Sequence, residues 1–126
     1  MLKAKVSTSN PQMSEEEYLA TKKLYVLVDE SLPATYAGVQ AGHAAIDFCI
    51  RYPDLVNDWN ENHNVLIYLQ ASRSQMDVQQ ALYAKLDKTS HAFVEPDLGD
   101  VVTAVAFEPV TNEEGLELFK GFRLLR

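Results

Sequence analysis

Three polar side chains recur at helical spacing within residues 35–47. Tyr36, Gln40 and His43 lie four and three positions apart, which puts them on one face of a helix. His43 carries the imidazole of this face, the type of side chain most often used for acid–base catalysis, so it is a candidate for that role. Gln40 could orient a substrate. A histidine held by Asp47 one turn further on, and a glutamine bonded to a loop, are the structural alternatives.

Three more side chains, later in the chain, could take part in the same chemistry. His91 begins a predicted strand, Thr103 lies inside the next strand, and Asp97 occupies the turn between them. His91 could transfer protons, and Asp97 could hold a substrate. Each also has a structural explanation, because strands favour threonine, turns favour aspartate, and a histidine at a strand end can simply lie at the surface.

The signatures of several catalytic and cofactor-binding sites are absent from the sequence. It contains no glycine-rich dinucleotide motif, no phosphate-binding P-loop and no Gly-x-Ser-x-Gly nucleophile turn. Its three histidines and one cysteine are scattered rather than paired at zinc-ligand spacing. We therefore expect neither a metal ion nor a cofactor.

Composition predicts one globular domain. A chain of 126 residues, 47% of them hydrophobic and 23% charged, can form a single core of ordinary size. No apolar run approaches the roughly 18–20 residues that cross a bilayer, and the first residues lack the apolar segment of a secretory signal. We expect a cytoplasmic protein without a membrane partner. The single cysteine, Cys49, fits a reducing compartment, cannot form an internal disulfide, and reads as a small buried hydrophobic residue.

The formal net charge of −7 bears on the choice of partner. Proteins that bind nucleic acids usually carry a basic surface, because the neutralisation of phosphates contributes most of the affinity. An acidic chain repels the phosphate backbone at long range, although a local basic patch could still exist. The charge therefore disfavours a function directed at tRNA.

The predicted elements that position these side chains follow the order β-α-β-α-β-β-α, and a short helix precedes them. The single domain, 1–126, divides into a flexible arm at 1–12, a short N-terminal helix at 14–23 and an α/β core at 24–126. Strands are predicted at 24–28, 65–69, 91–95 and 101–107. Longer helices are predicted from 35 to about 51, from 74 to about 88 and from 111 onward. Residues 54–64 are predicted to form a turn of helix plus loop.

Helix starts and helix faces follow from local patterns. Capping boxes are predicted at Ser14 with Glu17 and at Thr111 with Glu114, and Ser74 is predicted to open the middle helix. The inward-facing positions predicted for the last two helices are Val78, Leu82 and Leu86, then Leu116, Phe119 and Phe122.

Together these elements predict a three-layer α/β/α sandwich around a four-stranded mixed sheet. Helical crossovers make the connected strands parallel, and the short turn before residue 101 makes the last two strands antiparallel. Ligands of such sheets bind beyond the carboxyl ends of the parallel strands. That rim comprises residues 29–35 and 71–74, which makes Thr35 and Tyr36 candidate substrate-binding residues.

Four segments, in this order, resemble the type 2 peptidyl-tRNA hydrolases. VQAGHA at residues 39–44 is similar to the A-Q-x-x-H-A signature on the first helix of that family. The apolar strands at 24–28 and 65–69 flank it, and TAVAFEP at 103–109 is similar to the family's T-x-L-A-I-x-P segment. The similarity spans about residues 24–109. It implies the family's small α/β sandwich and hydrolysis of the ester between a peptide and the 3′ ribose of tRNA.

The resemblance carries Gln40, His43 and Thr103 over as catalytic residues, because they match the family's motifs. Water would attack the ester carbonyl, with His43 or His91 assisting proton transfer. Gln40, Thr103 or helix amides would stabilise the oxyanion.

Two family segments are altered in this chain. The K-G-K segment before the helix signature falls on Ala34, Thr35 and Tyr36, so both lysines are missing. The D-A-G-x-T segment, matched without gaps, puts His91 at its aspartate and Glu95 at its threonine. Thr35, Tyr36, Glu95 and Asp97 would then contact the substrate.

Three functions therefore stay open. The first is a divergent peptidyl-tRNA hydrolase. The second is a domain derived from that family but without its activity, which binds a small anionic or peptidyl ligand or a protein partner at the same rim. The third is hydrolysis or transfer on a different acyl substrate. A homodimer is a further expectation, because the N-terminal arm and the apolar last helix could contact a second copy.

Overall fold

The computed structural model describes residues 13–126, and the predicted arm at 1–12 lies outside the described residues. The elements are α1 Glu15–Ala20, β1 Lys22–Asp29, α2 Ala34–Arg51, α3 Pro53–Asn62, β2 Val65–Ala71, α4 Arg73–Lys85, β3 Ser90–Glu95, β4 Val101–Phe107, β5 Val110–Thr111, α5 Asn112–Leu118 and β6 Arg123–Leu124. A short 3-10 turn, Pro96–Leu98, joins β3 to β4. None of the helices within the described range is long and apolar enough to cross a bilayer.

All strands belong to one mixed sheet with the order β3-β4-β1-β2-β6, and β5 pairs with β1. β1 and β2 are parallel, while β4 runs antiparallel to both β1 and β3, as predicted for the last two long strands. The described part of the sheet has six strands rather than the predicted four. The two missed strands, β5 and β6, contain two residues each, which is too short to show a period-2 pattern.

Side chains of β1 alternate between two hydrophobic clusters, as its continuous apolar sequence predicts for a strand buried on both faces. Leu24, Val26 and Val28 pack with residues of α2 and α3. Tyr25 and Leu27 pack with residues of α4 and α5. β1 is therefore the centre of the core, and helices contact it from both sides.

Small side chains let α2 lie close to the sheet. Ala37, Ala41 and Ala44 are at most 1% exposed, and all three belong to the cluster that contains Val26. Without branched side chains between them, the α2 backbone and the strands approach closely enough for the polar side chains of α2 to reach β3 and β4. The small face of this helix therefore packs on the sheet.

Several helices differ from their predictions at their boundaries. The short N-terminal helix was predicted at 14–23, but α1 ends at Ala20, and Lys22 and Lys23 begin β1. Residues 54–64 were predicted to form a turn of helix plus loop, but Pro53 starts the ten-residue α3. Proline stops one helix and suits the first position of the next, because that position needs no amide hydrogen. The middle helix, α4, is capped by Ser72 with Gln75 rather than opened by Ser74.

The buried face of α4 also differs from the prediction. Val78 is 67% exposed and Leu86 is 47% exposed, whereas Met76 and Tyr83 face the sheet. Tyr83 can be buried because its hydroxyl donates a hydrogen bond to the carbonyl of Glu108 at 3.3 Å. The aliphatic spacing pointed to the wrong face because it gave no weight to a buried tyrosine.

The last helix was predicted to run from residue 111 onward, but α5 ends at Leu118, and a turn and β6 follow it. Of the predicted inward positions, the two aromatic ones are confirmed and the aliphatic one is wrong. Leu116 is 58% exposed. Phe119 follows the end of α5, is 5% exposed, and stacks on Tyr25 with ring centroids 4.1 Å apart. Phe122 packs against the same cluster. Gly115 lies directly against the Tyr25 ring, so α5 can approach β1 only with glycine at this position.

We predict that Gly115→Ala destabilises the protein. Its Cβ would lie 2.7 Å from Tyr25 Cε2 and 2.8 Å from Cζ, and the stacked ring cannot retreat. Overpacking of this kind costs about 1–3 kcal/mol in the free energy of unfolding, measurable by urea denaturation. Gly38→Ala is the control, because its Cβ meets no atom within 4 Å and alanine should stabilise the helix by about 0.5–1 kcal/mol. Equal effects of the two substitutions would contradict this packing.

Candidate functional site

The carboxyl ends of β1, β2 and β3 lie at one edge of the sheet. β1 ends at Asp29 and pairs in parallel with β2, which ends at Ala71. β3 points the same way, because β4 is antiparallel to both β1 and β3, and it ends at Glu95. The first turn of α2 faces this edge, as expected for ligand sites in open α/β sheets.

A buried chain of hydrogen bonds joins α2 to two strands at this edge. Thr103 Oγ1 donates to Gln40 Oε1 at 2.5 Å, and Gln40 Nε2 donates to Glu95 Oε2 at 3.1 Å. Thr103 is 0%, Gln40 1% and Glu95 8% exposed, so Glu95 is the member of the chain that reaches the surface. The Gln40 amide can satisfy both partners in only one orientation, because its oxygen accepts and its nitrogen donates.

Glu95 has neutral hydrogen-bond donors but no cationic partner among residues 13–126. Its second oxygen, Oε1, accepts from the backbone amide of Asp97 at 3.3 Å and so caps the 3-10 turn. A carboxylate that is nine-tenths buried without a compensating charge is costly, and such groups concentrate at functional sites. Glu95 is therefore the strongest candidate for chemistry at this edge.

Tyr36 stands one helical turn before Gln40, at the mouth of the site. Its partial burial and the negative charges of Glu95 and Asp97 raise the pKa of its phenol above the ordinary value of 10.0. The hydroxyl therefore stays protonated at neutral and mildly alkaline pH, and it can donate a hydrogen bond. Thr35, beside it, is exposed.

His43 lies one turn after Gln40, but the structure gives it a different neighbour from the one predicted. Its side chain is exposed, and its ring stacks on Phe93 with centroids 5.0 Å apart and 13° between the planes. Within residues 13–126 it makes no hydrogen bond to Gln40 or Glu95. His43 and Phe93 thus form a flat surface beside the hydrogen-bonded chain.

His91, the other candidate for proton transfer, is not brought to this site. It lies at the start of β3, four residues from Glu95 and so roughly 13 Å away along the strand. Its Nε2 is 2.6 Å from Asp47 Oδ2, and Asp47 also pairs with Arg51 at 3.3 Å. Asp47 thus holds His91 and not His43, because the α2 face that carries it lies against β3.

These contacts follow one rule of geometry. α2 runs antiparallel to β3, so successive turns of the helix meet alternate residues of the strand: Gln40 meets Glu95, His43 meets Phe93, and Asp47 meets His91. The sequence contained a signal for this pairing, since a 3.6-residue period on α2 faces a period of two on β3. Phe93 was the member that sequence reasoning missed.

A second polar group at the same edge fixes the loop after β1. Asp29 is 4% exposed and accepts hydrogen bonds from Ser31 N at 2.9 Å, Ser31 Oγ at 2.7 Å and Arg73 Nε at 3.0 Å. Burial opposes ionisation of Asp29, but the bonds from Ser31 and Arg73 outweigh it and lower the pKa of the carboxyl below 3.8. The guanidinium of Arg73, at the start of α4, thereby forms an ion pair with Asp29.

The described residues offer no ready metal site and no activated thiol. Among residues 13–126, no three side chains of the His, Cys, Asp and Glu types come together at a distance that could hold a metal ion. Cys49 is half-buried against the α2 cluster, and burial raises the pKa of its thiol. A thiol of this kind is a weak nucleophile at neutral pH.

Comparison with known proteins supports the fold alone. No protein-family profile and no curated protein sequence matches this chain. Among solved structures it is similar to a protein of unknown function from Agrobacterium tumefaciens strain C58, with a TM-score of 0.57 and 9% sequence identity. The match covers 82% of this chain and 97% of the other. The shared feature is a mixed α/β fold.

We predict that Thr103→Val destabilises the protein by about 1–3 kcal/mol. Valine has nearly the same shape, but it leaves the buried Gln40 oxygen without a donor. Urea denaturation measures the loss, and the side-chain amide resonances of Gln40 should broaden or shift. Thr35→Val makes the same chemical change at an exposed position of α2 and should stay within about 0.5 kcal/mol of the wild type. A Thr103→Val protein as stable as wild type would contradict the buried chain.

A separate prediction concerns Asp29 and pH. Because its folded pKa lies below the unfolded value, its ionised form stabilises the fold above about pH 4, and this contribution is lost as the pH falls through the folded pKa. Asp29→Asn should therefore reduce the free energy of unfolding by about 1.5–3 kcal/mol at pH 7, and the difference from wild type should shrink towards pH 2–3. Asp77→Asn, at an exposed position of α4, is the control. A difference that does not change with pH would contradict the bonded carboxylate.

Proposed function

We propose that this protein hydrolyses acyl esters in the manner of a type 2 peptidyl-tRNA hydrolase, with Glu95 as the general base. The observation that supports this most directly is the buried chain from Thr103 through Gln40 to the Glu95 carboxylate. The chain starts from the helix whose VQAGHA segment resembles the family signature. The proposal includes the family's three-layer arrangement of helices around the sheet.

In the proposed reaction, the Glu95 carboxylate accepts a proton from water as the water oxygen adds to the ester carbonyl carbon. The carbonyl electron pair moves to oxygen and forms an oxyanion. When this pair returns, the bond to the ribose 3′ oxygen breaks, and the leaving oxygen receives the proton held by Glu95. The products are a carboxylic acid and the free 3′ hydroxyl, so no co-reactant other than water is needed.

The other residues of the site have supporting roles in this proposal. Gln40 holds the carboxylate in place and Thr103 fixes the orientation of Gln40, so both are positioning residues. The protonated hydroxyl of Tyr36 can donate to the oxyanion. The flat surface of His43 and Phe93 offers a stacking area for the acyl group or for the terminal base of a tRNA.

A second function is favoured by the charge of the protein. The net charge is −7, and Ala34 and Tyr36 provide no cation where the resembling family has lysines. A domain that has kept the scaffold but lost the reaction would bind a small ligand or a protein partner at the same edge. It would show ligand binding without turnover, so the assay below separates it from the enzyme.

The proposal also concerns location and assembly. A single cysteine suits the reducing cytoplasm in which an enzyme of this kind would act. The homodimer stays a prediction. Exposed apolar side chains on β2 and β6, with Leu66 43% and Leu124 65% exposed, give a second copy of the chain a surface to contact.

We predict that Glu95→Gln lowers the turnover of aminoacyl ester on tRNA by at least about 100-fold, the usual contribution of a general base. The measurement is the release of radiolabelled amino acid or N-acetyl amino acid from charged tRNA. Glu117→Gln makes the same change at a side chain that is 78% exposed, and it should leave turnover unchanged. Circular dichroism would confirm that both variants fold.

His43→Ala tests the role that the sequence suggested for this residue. Since His43 is not bonded to the Gln40–Glu95 chain, we expect a loss below about tenfold. Wild-type turnover no faster than in buffer would overturn the hydrolase proposal. A loss in His43→Ala as large as that in Glu95→Gln would move the general base from Glu95 to His43.

A further inference from the structure

The charged side chains around Glu95 are predominantly acidic. Glu95 and Asp97 are both acidic, and the first turn of α2 carries Ala34, Thr35 and Tyr36, which contribute no cation. Arg73, at the same edge of the sheet, is paired with Asp29, and Arg123, which pairs with Gln70 near the end of β2, lies on β6 at the far side of the sheet from β3. The strand and helix directions place most basic side chains of the described core at the opposite edge: Lys22, Lys23, Arg51, Lys85 and Lys88.

The α2 dipole offsets only part of this charge. The amino end of a helix acts as roughly half a positive charge. Two carboxylates stand against it, and one of them, Glu95, is 8% exposed and bonded only to neutral donors among the described residues. The mouth of the site therefore attracts a cation more strongly than it attracts an anion.

Glu95 and Asp97 are also close enough to act on one small ligand. The Asp97 amide bonds to the Glu95 carboxylate, so the Asp97 side chain begins beside it. Both charges act on the Tyr36 phenol. Asp97 is exposed and Glu95 is buried, so the Asp97 carboxylate lies at the mouth of the site and the Glu95 carboxylate lies in its interior. The aromatic ring of Tyr36 adds a surface on which a cation can rest.

An ester of an unblocked amino acid matches this arrangement. Its α-ammonium group and its scissile carbonyl are separated by a single carbon atom. If Glu95 activates water at the carbonyl, the ammonium group lies within reach of the neighbouring Asp97. Acylation of the nitrogen, as in a peptidyl ester, removes the positive charge and leaves Asp97 without a partner.

We infer that this site selects acyl esters that carry a free α-ammonium group, with Asp97 as the residue that binds it. The inference rests on the proposed hydrolase function and specifies its substrate class as aminoacyl rather than N-blocked peptidyl esters. Asp97 is a specificity residue in this scheme, and Glu95 remains the general base.

The test compares one tRNA charged with phenylalanine and the same tRNA charged with N-acetylphenylalanine. Wild-type kcat/KM should be at least about tenfold higher for the free amine, and Asp97→Asn should reduce this ratio about three- to tenfold. Use of the ratio cancels the general repulsion between an acidic protein and tRNA. Asp87→Asn is the matched control, since Asp87 follows α4 at the opposite edge and has a positive φ of 59°, which asparagine also tolerates.

A ratio at or below one for the wild type, with measurable hydrolysis, would overturn the substrate preference and leave the hydrolase proposal standing. No hydrolysis of either ester would overturn the hydrolase proposal itself. In that case, NMR titration with phenylalaninamide and N-acetylphenylalaninamide decides the inference. Binding of the free amine alone, weakened by Asp97→Asn, supports ammonium recognition, and equal binding of both amides overturns it.

Discussion

The hydrogen-bonded chain between Thr103, Gln40 and Glu95 is the constraint on which the rest of this structure depends. Buried polar groups must be paired, and here the pairing runs between a helix and two strands that are far apart in the sequence. Gln40 can reach both partners only if α2 lies close to the sheet. The alanines on its inner face provide that close approach. The interface between α2 and the sheet must therefore be closely packed and must also pair its buried polar groups.

The same interface separates functional from structural polar groups along α2. At the carboxyl edge of the sheet, the nearly buried carboxylate of Glu95 bonds to Gln40 and has no cationic partner among residues 13–126. At the opposite end of β3, Asp47 hydrogen-bonds to His91 and forms an ion pair with Arg51. Like side chains thus have different uses at the two ends, since an ion pair stabilises where an uncompensated carboxylate can act on a ligand.

Electrostatics also distinguishes this site from a general nucleic-acid surface. A protein that gains most of its affinity from phosphates would place arginine and lysine around the reactive group. Here Arg73, at the same edge of the sheet, bonds to Asp29 and so holds the loop after β1. In the reaction that we propose, recognition is local and involves the acyl end of the substrate, because the net negative charge of the protein opposes long-range attraction of a polyanion.

Local patterns were sufficient for much of the fold. The apolar runs located β1, β2 and β4. The helical spacing of Tyr36, Gln40 and His43 located α2, and the capping boxes at Ser14 and Thr111 marked two helix starts. These features are set by backbone propensity and by periodic burial, both of which act within a few residues. The resemblance to the hydrolase family also made Gln40, Thr103 and Glu95 candidate site residues.

Only the tertiary structure decided which of these residues meet. The partners of Gln40 are 55 and 63 positions away, and their contact depends on the strand order and on the direction of β3 relative to α2. The same geometry determines that His91 bonds to Asp47 and that His43 stacks on Phe93. Packing against the sheet likewise buries Tyr83 of α4 and leaves Val78 exposed. Periodicity fixes the face of a helix or strand, whereas long-range packing fixes what lies opposite that face.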